Sequence, residues 1–539
     1  MKLGRSLAVL LVAGVAGAIA VERSASEPEP PPEFGVAVEP GSPAIVLGSG
    51  GLSQSWFCPG GPTANDQATS LTIFNPQDGP RAVRLTAYPA DAQPVSRPLE
   101  LGPHDRETVA IGEFAPSPFT AATVEVFGEG VLVEQTVTTP VGRSTTACAT
   151  SASDTWYFAD GVTTIDAAYS LALFNPFAQA ASVDVRFATA EGDRAPGDLQ
   201  GISVPAAGVR LIDIGAFVQR EAAFSTIVET RRGRVVAGRL QSVDRRGRRG
   251  IAAGPGAPRP GDTWWFPDGE KGEAAGEQYV VYNPNPVDAA VALSFFPGEG
   301  IPGATPATTA PTTPPPSPAP TTATGASGPG TTSAATTSTT TSSTSTTSTT
   351  STTEPGTTVP PTTPGELLAG AAVVSLLVPA GEFRVVDVTN NPDVPPGRHD
   401  VVVSLEGDDT PVVVERVLNR IRDDRSTTST LLGSRIVSAT WYVADASASA
   451  EGVLVVMNGA GLSTNVTVNV IGPAGPVPVP GLVDLQVPTG GILEQSIPAS
   501  VAGMPLKVEG SGPIVVEWRA RAGGEIPGLV QSFAVAELG

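Results

Sequence analysis

The 539 residues predict an all-β chain, a tandem array of about four immunoglobulin- or fibronectin-like β-sandwich repeats interrupted by one disordered Thr/Ser/Pro-rich insert. Three observations predict it. An opening stretch recurs, as "WFCPGG" at Trp56, "WYFADG" at Trp156, "WWFPDG" at Trp264 and "WYVADA" at Trp441. Recurrence at about 100 residues marks repeated structural units. Apolar and polar residues alternate inside each unit, as in "VDVRF" at Val183–Phe187, the period-2 signature of a strand with one buried face. Turn signals come about every ten residues and helical periodicity is nearly absent, the pattern of a sandwich with seven or eight short strands.

The internal register supports each element in turn. Trp56 to Asn75, Trp156 to Asn175 and Trp264 to Asn283 are all 19 residues apart, and Trp441 to Asn458 is 17. The Trp, with Phe158 two residues on, begins the first strand and supplies a bulky core side chain. Cys58 stands at the Phe158 position of the first unit. Asn-Pro ends the second strand, because proline cannot donate to a ladder. Eight residues past each Asn lie Val83, Val183, Val291 and Val466, followed two on by Leu85, Val185, Leu293 and Val468. Pro/Gly turns follow Val204, Val378 and Val487, and the closing hairpins read "VLVEQ" at Val131, "VVAGR" at Val235, "VVVER" at Val412 and "IVVEW" at Ile514. A four-bladed propeller is the rival, but a blade needs only about 40–50 residues. The expectation is therefore separate beads on a string. The boundaries are 45–150, 151–258, 259–437 (with the insert 301–365) and 438–539.

Lys2 and Arg5 precede an apolar run, Leu7 to Val21, with a small-residue site at Ala18–Ala20. Residues 1–21 thus read as a signal peptide, or as an N-terminal membrane anchor if uncleaved, and 22–44 as a Pro-rich spacer. This places the rest of the chain outside the cytoplasm. An even pair of cysteines in an exported chain, Cys58 and Cys148, predicts a disulfide, whose long loop is worth roughly 4 kcal/mol in the chain-entropy model. The insert has almost no large apolar residues with which to offset ordering entropy, and its composition matches mucin-like stalks.

A net charge of −21 argues against nucleic acid as a partner. No catalytic site or cofactor is expected. His104 and His399 fall at unrelated positions and read as exposed turn histidines, and neither G-x-S-x-G nor H-E-x-x-H occurs. Asp160, Asp268 and Asp445 recur after the Trp, but Gly60 breaks the series, so they read as turn caps rather than metal ligands. Glu134, Glu415 and Glu517 in the closing strands are expected to face solvent. "NVT" at Asn465 overlaps a core-alternating strand and is read as a chance match to a glycosylation acceptor. One stretch opposes the acidic background, with Arg231, Arg232, Arg234, Arg239, Arg245, Arg246, Arg248 and Arg249. The arginines outside Arg239 occupy two turns flanking one strand and read first as solvated turns that balance the negative charge, with anion binding to a wall polymer or glycan as the alternative for which they are the candidate residues.

The tandem W-[YF]-F-A-[DE]-G … NP … V-V-x-E-R pattern, from Trp56 to the C-terminus without the insert, resembles a group of uncharacterised exported proteins of Actinobacteria and Chloroflexi. The chain departs from that pattern at Gly60, Ala446 and Gly459. The resemblance implies an architecture and brings no reaction with it. The functional expectation is an exported cell-envelope structural or display protein without catalytic activity, with adhesin-like binding of a glycan or anionic wall polymer as the alternative.

Overall fold

The computed structural model describes residues 45–47, 52–298, 371–407, 409–422, 425–444, 452–459, 462–521 and 529–538. The leader, the Pro-rich spacer, the insert and Asp445 lie outside them. The described chain is all-β, with only short helical turns between strands.

In the first segment two antiparallel sheets face each other. One has the order Ser53–Pro62, Phe119–Phe127, Arg81–Pro89, Val95–Leu101; the other Arg106–Ala110, Ala68–Phe74, Leu132–Thr139, Gly142–Ala147. Trp56, Ile73, Phe74, Leu85, Val124 and Val133 fill the space between them. The next segment pairs Thr155–Phe158 with Phe224–Arg232 and then Ala181–Thr189, facing Gly208–Asp213, Ala167–Asn175, Val236–Arg245 and Arg248–Pro255. The third pairs Thr263–Lys271, Gly397–Leu405, Ala289–Pro297 and Ala372–Val378 against Phe383–Asp387, Ala275–Tyr282, Val413–Arg422 and Arg425–Leu432. In the last, one long strand, Leu506–Arg521, runs through both layers: its first half pairs with Ser438–Val443 and Thr464–Gly472, its second with Gly452–Asn458 and Leu529–Phe533.

The recurring tryptophan and asparagine have one physical reason each. Trp56, Trp156, Trp264 and Trp441 are buried at 0–1% exposure. Their indole N–H groups donate to the carbonyls of Val131, Val235, Val412 and Ile514, at 2.8–2.9 Å. The ring fills the core while its one polar atom is satisfied by the strand that closes the segment. The asparagines clamp two turns together. Asn175 Nδ2 donates to the carbonyls of Gln179 and Pro205, and Asn75, Asn283 and Asn458 make the corresponding pairs, with Gly79 and Gly102, Val287 and Val378, Leu462 and Val487. Cys58 and Cys148 are disulfide-bonded.

The segments are not separate beads. Gly250 and Thr428 pair in parallel across the expected boundary between the second and third segments and join both into one eight-stranded sheet. Four strands, Gly142–Ala147, Arg248–Pro255, Arg425–Leu432 and Leu529–Phe533, lie side by side in a closed circuit, the last returning to the first. The cores interlock the same way. Tyr88 and Phe119 of the first segment sit in the core of the second; Ala159 and Ile227 of the second in that of the third; Trp265, Phe296 and Val402 of the third in that of the fourth; Tyr442, Ile471 and Val535 of the fourth in that of the first. Ile45–Leu47 pairs in parallel with Val535–Leu538, so the two ends of the described chain meet. Beads were expected because alternation reports only that a face is buried. It does not say whether the covering surface belongs to the same segment or to a neighbour.

Candidate functional site

The richest chemistry lies where segments meet. Each opening strand ends in a corner, and at Cys58–Gly61 and Phe266–Gly269 that corner is a β-bulge. A bulge re-aims the chain, here onto the closing strand of the following segment. The Asp160 amide N–H donates to Glu415 at 2.7 Å, and the Asp268 amide N–H to Glu517 at 3.2 Å. Arg239 then closes on Glu415 with two bonds, at 2.9 and 2.8 Å, and donates to the Asp160 carbonyl at 2.7 Å. Arg416 holds Glu517 at 2.5 Å. The same corner in the first segment meets Gly238, where any Cβ would collide with the Pro59 ring. Its Gly60 is bonded through both N–H and carbonyl by Gln135 of its own segment.

These observations overturn two expectations. Glu134, Glu415 and Glu517 do not face solvent; all three are buried, at 3%, 1% and 0% exposure. Asp160 and Asp268 do not cap exposed turns. Asp268 is buried and receives Arg398 at 3.1 Å, Arg420 at 2.9 Å, Arg519, and Gln531 at 2.8 Å. Glu270 and Glu494 complete the cluster on the same arginines. Burial opposes the Asp268 charge, and Arg420, Arg519 and Arg398 outweigh it, holding the carboxyl well below the usual carboxylate range. A desolvated carboxylate held by three arginines and a glutamine is a structural tie. A signal for it was present in "VVVERV", where Glu415 and Arg416 put a charge on each face of an otherwise apolar run, and in "IVVEWRA", where Glu517 and Arg519 put two charges on one face of such a run.

His399 is a second correction. It lies inside the strand Gly397–Leu405 at 1% exposure, with Nε2 2.7 Å from Glu277. Glu277 also accepts from Tyr279 Oη at 2.7 Å and from the Glu270 amide at 3.1 Å. Burial pushes the Glu277 carboxyl up and His399 pulls it down, the net being below the ordinary value. His104 does lie in a turn, at φ 57°, but its side chain is largely covered, between Asp78 and the Pro76 carbonyl. Asp400, next to His399, is fully buried with both oxygens unpartnered, and burial raises its carboxyl well above the ordinary range.

The two arginine-rich turns lie at opposite ends of the strand Val236–Arg245, roughly 30 Å apart at about 3.3 Å per residue. Arg231, Arg232 and Arg234 are exposed, and Arg231 is spent on Asp184 at 2.5 Å. Arg239 belongs to the segment junction. Arg245 and Arg246 are exposed, while Arg248 and Arg249 are half-buried. Asn465 is exposed on its strand, with core residues to either side.

A cavity of about 120 Å³ opens at the other end of the four-strand circuit, lined among others by Ser144, Thr146, Gly254, Thr430 and Ser532. Among the described residues no group of three or more His, Cys, Asp or Glu side chains could hold a metal ion, and no helix is long and apolar enough to cross a membrane.

A family of unknown function, DUF5719, matches residues 133–301. None of the curated proteins matches the chain. Among solved structures, Thermotoga maritima 1070 is 19% identical, covering 18% of this chain and 91% of its own, with a TM-score of 0.15. A tetra-tandem repeat from the extending region of a large adhesion protein is 12% identical, covering 84% of this chain and 91% of its own, with a TM-score of 0.10.

Proposed function

We propose that the chain is four copies of one antiparallel β-sandwich closed side by side into a ring, and that this ring is an exported, non-enzymatic scaffold of the cell envelope, carrying the Thr/Ser/Pro-rich insert within its third copy. The observation that carries the reading is the corner-to-strand docking of successive segments, with the fourth segment's Tyr442, Ile471 and Val535 returning to the core of the first. The junction carboxylates Asp268, Glu415 and Glu517 are each held by arginines of the protein itself, which suits a rigid body more than a reaction centre. Burial of all six tryptophans supports a scaffold over a glycan platform, since carbohydrate binding would call for exposed rings on one face. Export rests on the leader.

Electron micrographs of the purified chain test the architecture. Square, ring-like particles are expected, and extended rods of separate beads would overturn it. Labelling of intact cells with an antibody to the chain tests the location, with surface signal expected and purely cytoplasmic signal refuting it.

A further inference from the structure

We propose that the Arg245–Arg249 turn is a docking site for a phosphodiester-linked polyanion of the cell envelope. The envelope reading above says only where such a partner would be met; the chemistry rests on the turn itself. Four guanidinium groups occupy five positions around Gly247, whose φ of 80° allows the tight reversal. One has a carboxylate: Arg249 pairs with Asp244 at 3.2 Å and donates to the Pro140 carbonyl at 3.1 Å. Among the described residues Arg245 and Arg246 have no carboxylate partner. Arg248 is half-buried and its Nε has no acceptor. Burial pushes the Arg248 guanidinium down, Asp160 pulls it up, and Arg245 beside it pushes it down again.

At the other turn Arg231 is spent on Asp184, while exposed Arg232 and Arg234 have no carboxylate partner among the described residues. The Arg245–Arg249 turn is the denser of the two, four arginines against three, in a chain of net charge −21. It is also held rigidly, because Asn419 Nδ2 from the neighbouring hairpin donates to the Gly247 carbonyl at 2.6 Å. Positioned guanidinium forks match phosphate oxygens in pairs. The turn is convex, so it cannot enclose a small anion. A polymer with regularly spaced charges gains by touching several arginines at once.

The test uses the purified full chain and fluorescein-labelled linear polyphosphate, with anisotropy followed from about 20 to 200 mM salt. Binding is expected whose logarithm falls linearly with the logarithm of salt, with a slope of about −2 to −3 for three or four contacts. R245E/R246E, at exposed positions, should weaken it at least tenfold with the melting temperature unchanged. R231A/R232A/R234A at the far turn should stay within about twofold of the parent. The proposal is overturned by no binding, by equal losses from both turns, by an unaffected R245E/R246E, or by phosphatidylglycerol vesicles binding where polyphosphate does not. Ring-shaped particles would persist in each of those outcomes, so failure here is distinguishable from failure of the scaffold reading.

Discussion

Glu415→Ala tests whether the segments are bound to one another in solution. Its carboxylate accepts two bonds from Arg239 and one from the Asp160 amide, and the paired side chains are 1% and 6% exposed. Burial pushes the Glu415 carboxyl up and the Arg239 guanidinium pulls it back; in turn Glu415 keeps the buried guanidinium charged. Removing the acid strands a desolvated cation, a loss of about 3–5 kcal/mol. With about 2.1 cal/mol/K of unfolding entropy per residue, that loss lowers the melting temperature by about 4–6 °C if some 400 residues unfold together, and by about 14–24 °C if one segment of some 100 residues unfolds alone. Scanning calorimetry reads the difference, and a closed ring predicts the smaller, single-transition shift. Arg239→Met/Glu415→Leu, which removes both charges, should recover most of the loss. A Glu415→Ala melt within 1 °C of the parent would mean the pair is solvated and the segments independent, and would refute the reasoning.

Asp400 should behave in the opposite sense to its neighbours. Its raised carboxyl favours the folded state below the unfolded value and penalises it as pH rises through the folded one. Asp400→Asn should therefore stabilise the chain at pH 8 by about 1–3 kcal/mol, with the gain shrinking towards pH 4; a pH-independent difference in chemical denaturation would contradict this. Asp268 and Glu277, held low, lend stability above about pH 4.5 that disappears on acidification through their folded values, so wild-type melting temperature should fall steeply below that pH. Gly238→Val should cost about 1–3 kcal/mol by forcing Pro59 away from the next segment, whereas the same change at exposed Gly272, which meets nothing, should be nearly silent in urea titrations. Cys58→Ser/Cys148→Ser should lower stability by roughly 4 kcal/mol, and reduction of the parent should reproduce the loss.

Much of the β-layering could be read from local pattern. The apolar residues eight and ten past each Asn and most of the closing hairpins fell on strands where the alternation placed them, and the cysteines paired as their number suggested. The partners at the junction were hidden. Glu415 and Glu517 looked like the polar half of an alternating strand, and only in three dimensions does Arg239 or Arg416 of the preceding segment cover them. His399 looked like a turn residue because it follows "PPGR", and the strand in fact starts two residues earlier, at Gly397. The arginine turns were correctly placed at opposite ends of one strand, but the pairing of Arg231 depends on Asp184 and on no local feature.

By itself the sequence determined the strands and the recurring positions of Trp and Asn, because alternation and turn signals act over distances of a few residues. Only the tertiary structure decided that the outer face of one segment is the inner wall of the next. Burial is a property of a surface, and the chain does not write beside a hydrophobic or charged face which distant surface will cover it.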